Sequence, residues 1–465
     1  MKDLGIEVGL HGEIGETAGF ESAIRKTWEQ VHFRLVTTIK NAAELGFIYV
    51  NYHLSTNLQV QQEEERLRPF GHTYQIVSPG GIPLADFISS MKETKQFAIE
   101  HLIAKGYSVD ENLMDEYQKK AMDTALKEGQ KDFDEFKNGE EYKRRKEEIE
   151  AAVRDGGITK EEGDRRFREW EEGIRQRMIS DKVNEVIRKL RSGELPSGDT
   201  LFEMWKKSDF GKYYVNFGEI GAYWAVAQYM METNDPLWTN VLKSKSVQDA
   251  YNNEVKGFNE AVAMKYIEGH LTLKEHQFNK KFLDGMSVLE FAKEKNIKIL
   301  FENPEAGQGK EGLYRLYDVR SAYHLMRKIN SPALRFCIDF EHMMAQNMNP
   351  YEVIRDVPKD FGKYIFLFHL GEPKPYFGTA HIPIPLGSQA QEVLYKWIYE
   401  LRRKGFESGY MIFERGGGRA GSSRSSFEVF EHSVWVLRQI AKYLEIGTEP
   451  QELPPEFFGI SEQNK

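Results

Sequence analysis

The sequence predicts an α/β protein: a (β/α)8 barrel of parallel strands and helices, interrupted by a large, mainly helical insertion. Two observations carry this reading. Short apolar runs alternate with helix-like segments at both ends of the chain, which is the rhythm of a parallel sheet. Nearly every run also ends in a potential metal ligand: His11, His53, Glu302, Asp339, His369 and Glu414. A barrel gathers functional side chains at the C-terminal ends of its strands, whereas an open doubly wound sheet gathers them at one crevice.

The elements follow in order. "GIEVGLHGE" fits a buried strand ending at His11. Phe20 to Gly46 reads as a helix with Gly46 as its C-cap, and "FIYVNYHLS" as a second strand ending at His53. Residues 1–57 are thus the first part of the barrel. Residues 58–290 are the insertion. Within it, "GHTYQIVSPGGIPLADF" is turn-rich, and residues 110–192 are dominated by Glu, Lys, Arg and Asp. Charge pairs at i,i+4 and a thin apolar stripe make that stretch a solvated helical hairpin broken at "DGG", or an arm that grips a protein partner or the substrate. "FGEIGAYWAVAQYMMETNDPLWTNVL" reads as the insertion's core. The second part of the barrel, 291–445, carries the strands "IKILFEN", "LRFCIDFEH", "YIFLFHLGE" and "GYMIFERGGG" and a last helix from Phe427 to Leu444. A Pro-rich tail, 446–465, follows.

Composition narrows the function. A chain of 465 residues has room for two domains, or for one domain with a large insertion. A net charge of −9 argues against a protein that coats nucleic acid, while leaving room for a local basic groove. The single cysteine, Cys337, excludes a disulfide framework and thiolate zinc sites, and fits a reducing cytoplasm. With no signal peptide at the start and no long apolar run, no membrane span and a cytoplasmic location are expected.

The candidate ligands in chain order are His11, His53, Glu302, Asp339, His342, His369, His381 and Glu414. All are His, Asp or Glu, the donor set of zinc, manganese or magnesium. One strand-end acid or histidine is ordinarily structural. Several buried carboxylates together repel one another unless cations neutralise them.

"FENPEAGQG", "CIDFEH", "FLFHLGE", "GTAHIPIPLG" and "IFERG" resemble the successive motifs of the xylose isomerase-like TIM barrel superfamily, most closely those of its endonuclease IV branch (AP endonuclease family 2). The resemblance covers roughly residues 5–57 and 290–440. It implies one more βα unit ahead of "GIEVGLHGE", missing or replaced here. It also implies three zinc positions: one held by His11, His53 and Glu302; a second by the bridging Glu302 with Asp339, His369 and Glu414; a third by His342 and His381. Where the family has an Asp two residues before the last histidine, this chain has Thr379, a poor substitute for a carboxylate. Two sites are therefore expected, and the third is weakened. Glu302 and Glu414 would be the catalytic carboxylates, with Asn303 orienting Glu302.

After Glu414 comes "RGGGRAGSSRSS". Its glycines let backbone approach an anion, and Arg415, Arg419 and Arg424 are candidate phosphate ligands; the bland alternative is a flexible loop with exposed arginines. Three readings follow. The first is a divalent-metal-dependent phosphodiester hydrolase in DNA repair, acting on DNA with abasic sites. The second is a sugar isomerase or epimerase, using Glu302 and Glu414 for proton transfer on a sugar or sugar phosphate. The third is a non-catalytic scaffold.

Overall fold

Strands that are covered on both faces need continuous apolar sequence, and the apolar runs supply it. The structure, a computed structural model, describes residues 4–12, 19–55, 76–84, 87, 111–192, 219–305, 314–372, 382–414 and 426–460. Six strands lie within them: β1 (Leu10–His11), β2 (Tyr49–His53), β3 (Lys298–Glu302), β4 (Leu334–Asp339), β5 (Ile365–Leu370) and β6 (Tyr410–Phe413). They form one parallel sheet in the order β1-β2-β3-β4-β5-β6. The sheet is curled. The rings of His11 on β1 and His369 on β5 stand 5.8 Å apart, and the Tyr410 hydroxyl of β6 donates to Glu7, just ahead of β1. The result is a parallel half-barrel, with all six expected strand ends on one rim.

The helices used below are α1 (Arg25–Leu45), α2 (Glu111–Phe136), α3 (Glu140–Arg154), α4 (Lys160–Ser192), α5 (Glu219–Glu232), α6 (Val255–Thr272), α7 (Val288–Glu294), α8 (Val319–Ile329), α9 (Phe340–Ala345), α10 (Gln389–Arg403) and α11 (Ser426–Ile446). Local sequence sets their ends. Gly46 closes α1 at φ 78°, a left-handed conformation that costs glycine nothing, and its N–H reaches back to Ala43. Ser287 and Glu290 form a reciprocal capping box at the start of α7. Asp318 caps α8, and Asn330 ends it in the left-handed region at φ 46°.

The chain divides into two compact units, Met1–Leu84 with Gly218–Lys465, and Ala85–Phe217. The insertion read from the sequence runs on to residue 290, but α5 and α6 belong with the strands. The aromatic-rich stretch taken as the insertion's core is therefore core of the barrel unit. The reason lies in its faces. Ala222, Trp224, Val226 and Met230 of α5, and Phe258, Val262, Met264 and Ile267 of α6, are buried. Helices apolar nearly all round must be covered on every side.

Two buried polar groups tie this unit together. Arg315, which follows β3 in the chain, pairs with Glu219 of α5 at 2.7 Å, and Glu219 also accepts from Ser22 and from the Ala23 N–H. Ser55, just past β2, donates to Glu21 at 2.6 Å. On α1 and α6, His32 and His270 meet at 3.2 Å between their Nδ1 atoms, both stacked on Trp28.

In the other unit, α2 lies along α4, joined by Arg175–Gln130 and Lys182–Asp132 contacts. On α4, Phe167 and Trp170 hold Tyr142 of α3 in an aromatic cluster. The break at "DGG" falls as expected: α3 ends at Arg154, and Gly156 takes φ 73°. Among the described residues, no helix is long and apolar enough to cross a membrane.

Candidate metal centre

Side-chain alternation sends every second residue of a strand into the barrel. On β2 these are Tyr49, Asn51 and His53; on β3, Leu300 and Glu302; on β4, Cys337 and Asp339; on β5, Leu367 and His369. Tyr49, Leu300, Cys337 and Leu367 form an apolar floor. The polar residues meet above it.

Glu302 sits at the centre and is fully buried. Its Oε2 accepts from the Asn51 amide at 2.5 Å and lies 3.4 Å from His11 Nε2 and 3.8 Å from His53 Nε2. Its Oε1 lies 3.2 Å from His369 Nδ1 and 3.3 Å from His342 Nδ1. Glu414, just past β6, reaches His369 Nδ1 at 2.7 Å. The two oxygens of one carboxylate thus face two different histidine groups.

Asp339 is held by the start of α9. Its Oδ1 accepts the His342 N–H at 2.9 Å, so the helix cap fixes the carboxylate. The Asn303 side chain bonds both the N–H and the C=O of Asp339, at 3.0 and 2.8 Å. Asn303 therefore supports Asp339, and its backbone carbonyl takes the Nδ1 proton of His342 at 2.8 Å. That bond fixes the imidazole tautomer and leaves Nε2 facing Asp339 Oδ2 at 3.7 Å.

Burial and neighbouring charge work against each other here. Burial alone would push the Glu302 carboxyl up, but His369, His11 and His342 outweigh it and hold the carboxyl well below its usual range. Asp339 goes the other way: burial raises it, only partly offset by His342, and the Glu302 charge adds to the rise. Burial pushes His53 down to about 4. For His342, the Asp339 and Glu302 charges overcome burial and raise it to about 9. The two buried carboxylates are pushed in opposite directions because the histidines crowd Glu302 while the Glu302 charge faces Asp339.

Two overlapping sets of ligand atoms converge within 4.8 Å: His11, His53 and Glu302; and Glu302, Asp339, His369 and Glu414. A divalent ion fits this donor set. No lysine or arginine among the described residues meets Glu302 or Asp339. Asn51 Oδ1 is buried without a hydrogen-bond partner. His342 uses a different nitrogen toward each acid and joins none of the convergent sets among the described residues. His381, Thr379, Arg415, Arg419 and Arg424 lie outside the described residues.

Residues 260–435 match the family described as xylose isomerase-like TIM barrel. That stretch is similar to the xylose isomerase-like barrels. No curated protein matches the chain. The matched stretch holds β3 to β6 and therefore Glu302, Asp339, His369 and Glu414; β1 and β2, with His11 and His53, precede it. The superfamily is mostly enzymatic and includes endonuclease IV, isomerases and epimerases.

Asn51 and Cys337 escape the motif reading. Each lies two residues before an expected ligand on its strand, so period-two alternation was the available signal. On the sequence alone thiolate zinc sites are excluded, yet the structure brings the Cys337 side chain to the edge of this site. Its thiol, Glu302 and His369 offer ligand atoms within 4.8 Å of one another, all three residues buried.

Proposed function

We propose that the chain is a divalent-metal-dependent phosphodiester hydrolase acting on duplex DNA at abasic sites. The carrying observation is the shared Glu302, whose Oε2 serves the His11 and His53 side and whose Oε1 serves the His369 side. A carboxylate so divided suits two neighbouring ions, zinc by donor chemistry, with Mn or Mg as alternatives. When bound, paired ions neutralise phosphodiester charge and acidify a water.

The chain's own residues divide the remaining work. Glu302 and Asp339, buried above the apolar floor, hold the ions. His11, 34% exposed at its side chain, and Glu414, 27% exposed, form the mouth that substrate meets. Glu414 takes the proton of the attacking water on its carboxylate, and His369, 2.7 Å away, steadies the charge it carries beforehand. Arg415, Arg419 and Arg424, which follow Glu414 in the sequence, would grip the flanking phosphates.

Sugar isomerisation is the second reading, favoured by the set Glu302, Asp339, His369 and Glu414, which suffices alone for one ion. It asks Glu302 to move a proton on substrate. Glu302 is fully buried with both oxygens engaged, which favours the hydrolase. The test is nicking of a duplex with one abasic site by zinc- or manganese-loaded protein, with Glu414→Gln as control. A metal-dependent nick that leaves a 3′-hydroxyl and is lost in the variant is expected. Folded, metal-bound protein that leaves the duplex intact would turn the assignment to sugar chemistry.

A further inference from the structure

We propose that Cys337 is a metal ligand and gives the buried side of the centre a preference for thiophilic ions over magnesium or manganese. The inference rests on the metal-centre reading above and extends it to a residue outside the expected ligand set.

Three observations place the sulfur. Cys337 is the register partner of Glu302 on the neighbouring strand and lies two residues before Asp339, on the same inward face. The pairing of β4 with β5 slips between Phe336 and Cys337, an irregularity of the kind that re-aims a side chain beside a site. Third, Cys337, Glu302 and His369 bring ligand atoms within 4.8 Å of one another, and all three are buried. The cysteine therefore stands at the boundary of two layers. Below it are Leu300 and Leu367; above it are a carboxylate and an imidazole.

A buried cysteine is ordinarily a small apolar filler. Here the thiol has more than apolar neighbours: Glu302 and His369, both buried, offer ligand atoms within 4.8 Å of it. Glu302, His369 and Cys337 would together hold one ion, the sulfur from the apolar side. Ligation converts the thiol to a thiolate: the S–H bond breaks, the metal–sulfur bond forms, and the proton leaves to solvent. A carboxylate, imidazole and thiolate set selects zinc, cobalt or iron, whereas oxygen-only sets select magnesium or manganese.

The experiment loads the full chain with Co(II) and records its spectrum, and separately records X-ray absorption of the zinc form. A near-ultraviolet sulfur-to-cobalt band and a sulfur shell at about 2.3 Å are expected. In Cys337→Ser the band disappears, the visible ligand-field bands persist, and zinc affinity falls on the order of 10–100-fold while manganese affinity holds. The zinc measurement on the unaltered chain needs no variant, so a misfolded Cys337→Ser protein leaves the test intact. Cobalt bound with visible bands but no charge-transfer band, or zinc with a nitrogen and oxygen shell only, overturns the role of Cys337 and spares the metal centre. Failure to bind either ion overturns both.

Discussion

At the scale of single residues, the centre is organised around one carboxylate and its supports. Asn51 gives its amide to Glu302 Oε2 and so fixes which edge faces His11 and His53. Outer supports of this kind tune ligand orientation. Asn51→Ala should weaken metal binding on the order of 10–100-fold with little change in thermal midpoint. Competition titration against a chromophoric chelator measures this, and wild-type affinity would remove Asn51 from the site. The His32–His270 pair makes a second prediction. Burial pushes His32 down to about 4 and His270 well below the ordinary imidazole value, the nearby His276 contributing, while the Asn279 side chain at 2.7 Å favours the proton on His32. A folded value below the unfolded one gives stability that is present above about pH 6.5 and lost as pH falls through 4. For His32 this is about 3 kcal/mol at the acid end. Urea midpoints at pH 7 and pH 4.5 should lie closer together in His32→Gln than in the parent; an equal gap would contradict the assignment.

At the scale of elements, ends matter more than interiors. The Gly46 cap sits one βα step from His53, and Gly46→Ala forces a side chain into the left-handed region. A loss of about 1 kcal/mol is expected from urea denaturation, and an unchanged midpoint would mean the cap relaxes. This is also the scale at which the sequence was most legible. Apolar runs ending in His, Asp or Glu marked every strand of the described sheet, because a parallel strand buried on both faces leaves an unbroken apolar signature. The helix after β1 ends at its expected Gly46 cap but begins at Arg25, five residues after the expected Phe20. Asn51 and Cys337 stayed hidden because they occupy strand interiors, where a polar side chain looks like a packing choice until the neighbouring strand is in register. The end of the insertion was misjudged because charge density marks where a solvated hairpin stops, and it says nothing of which core an apolar helix joins.

At the scale of the molecule, every described residue of the metal centre lies in the unit formed by Met1–Leu84 and Gly218–Lys465. Replacing residues 85–217 by a long Gly/Ser linker should leave zinc stoichiometry unchanged and the cobalt spectrum superimposable on the parent's. Loss of bound metal in a folded variant would show that the second unit completes the site. The connectivity has a cost in time. Strands β2 and β3 are immediate neighbours, yet Asn51 and Glu302 stand 251 residues apart in the chain. At roughly 5–20 residues per second, β2 leaves the ribosome about 10–50 s before its partner exists. During that interval one edge of β2 has no strand to pair with, and the apolar face of α1 has no α6 to meet. The C-terminal strands, each a neighbour of the last, face no such wait. The nascent N-terminal segment is therefore the part of this sheet that waits longest for its partner.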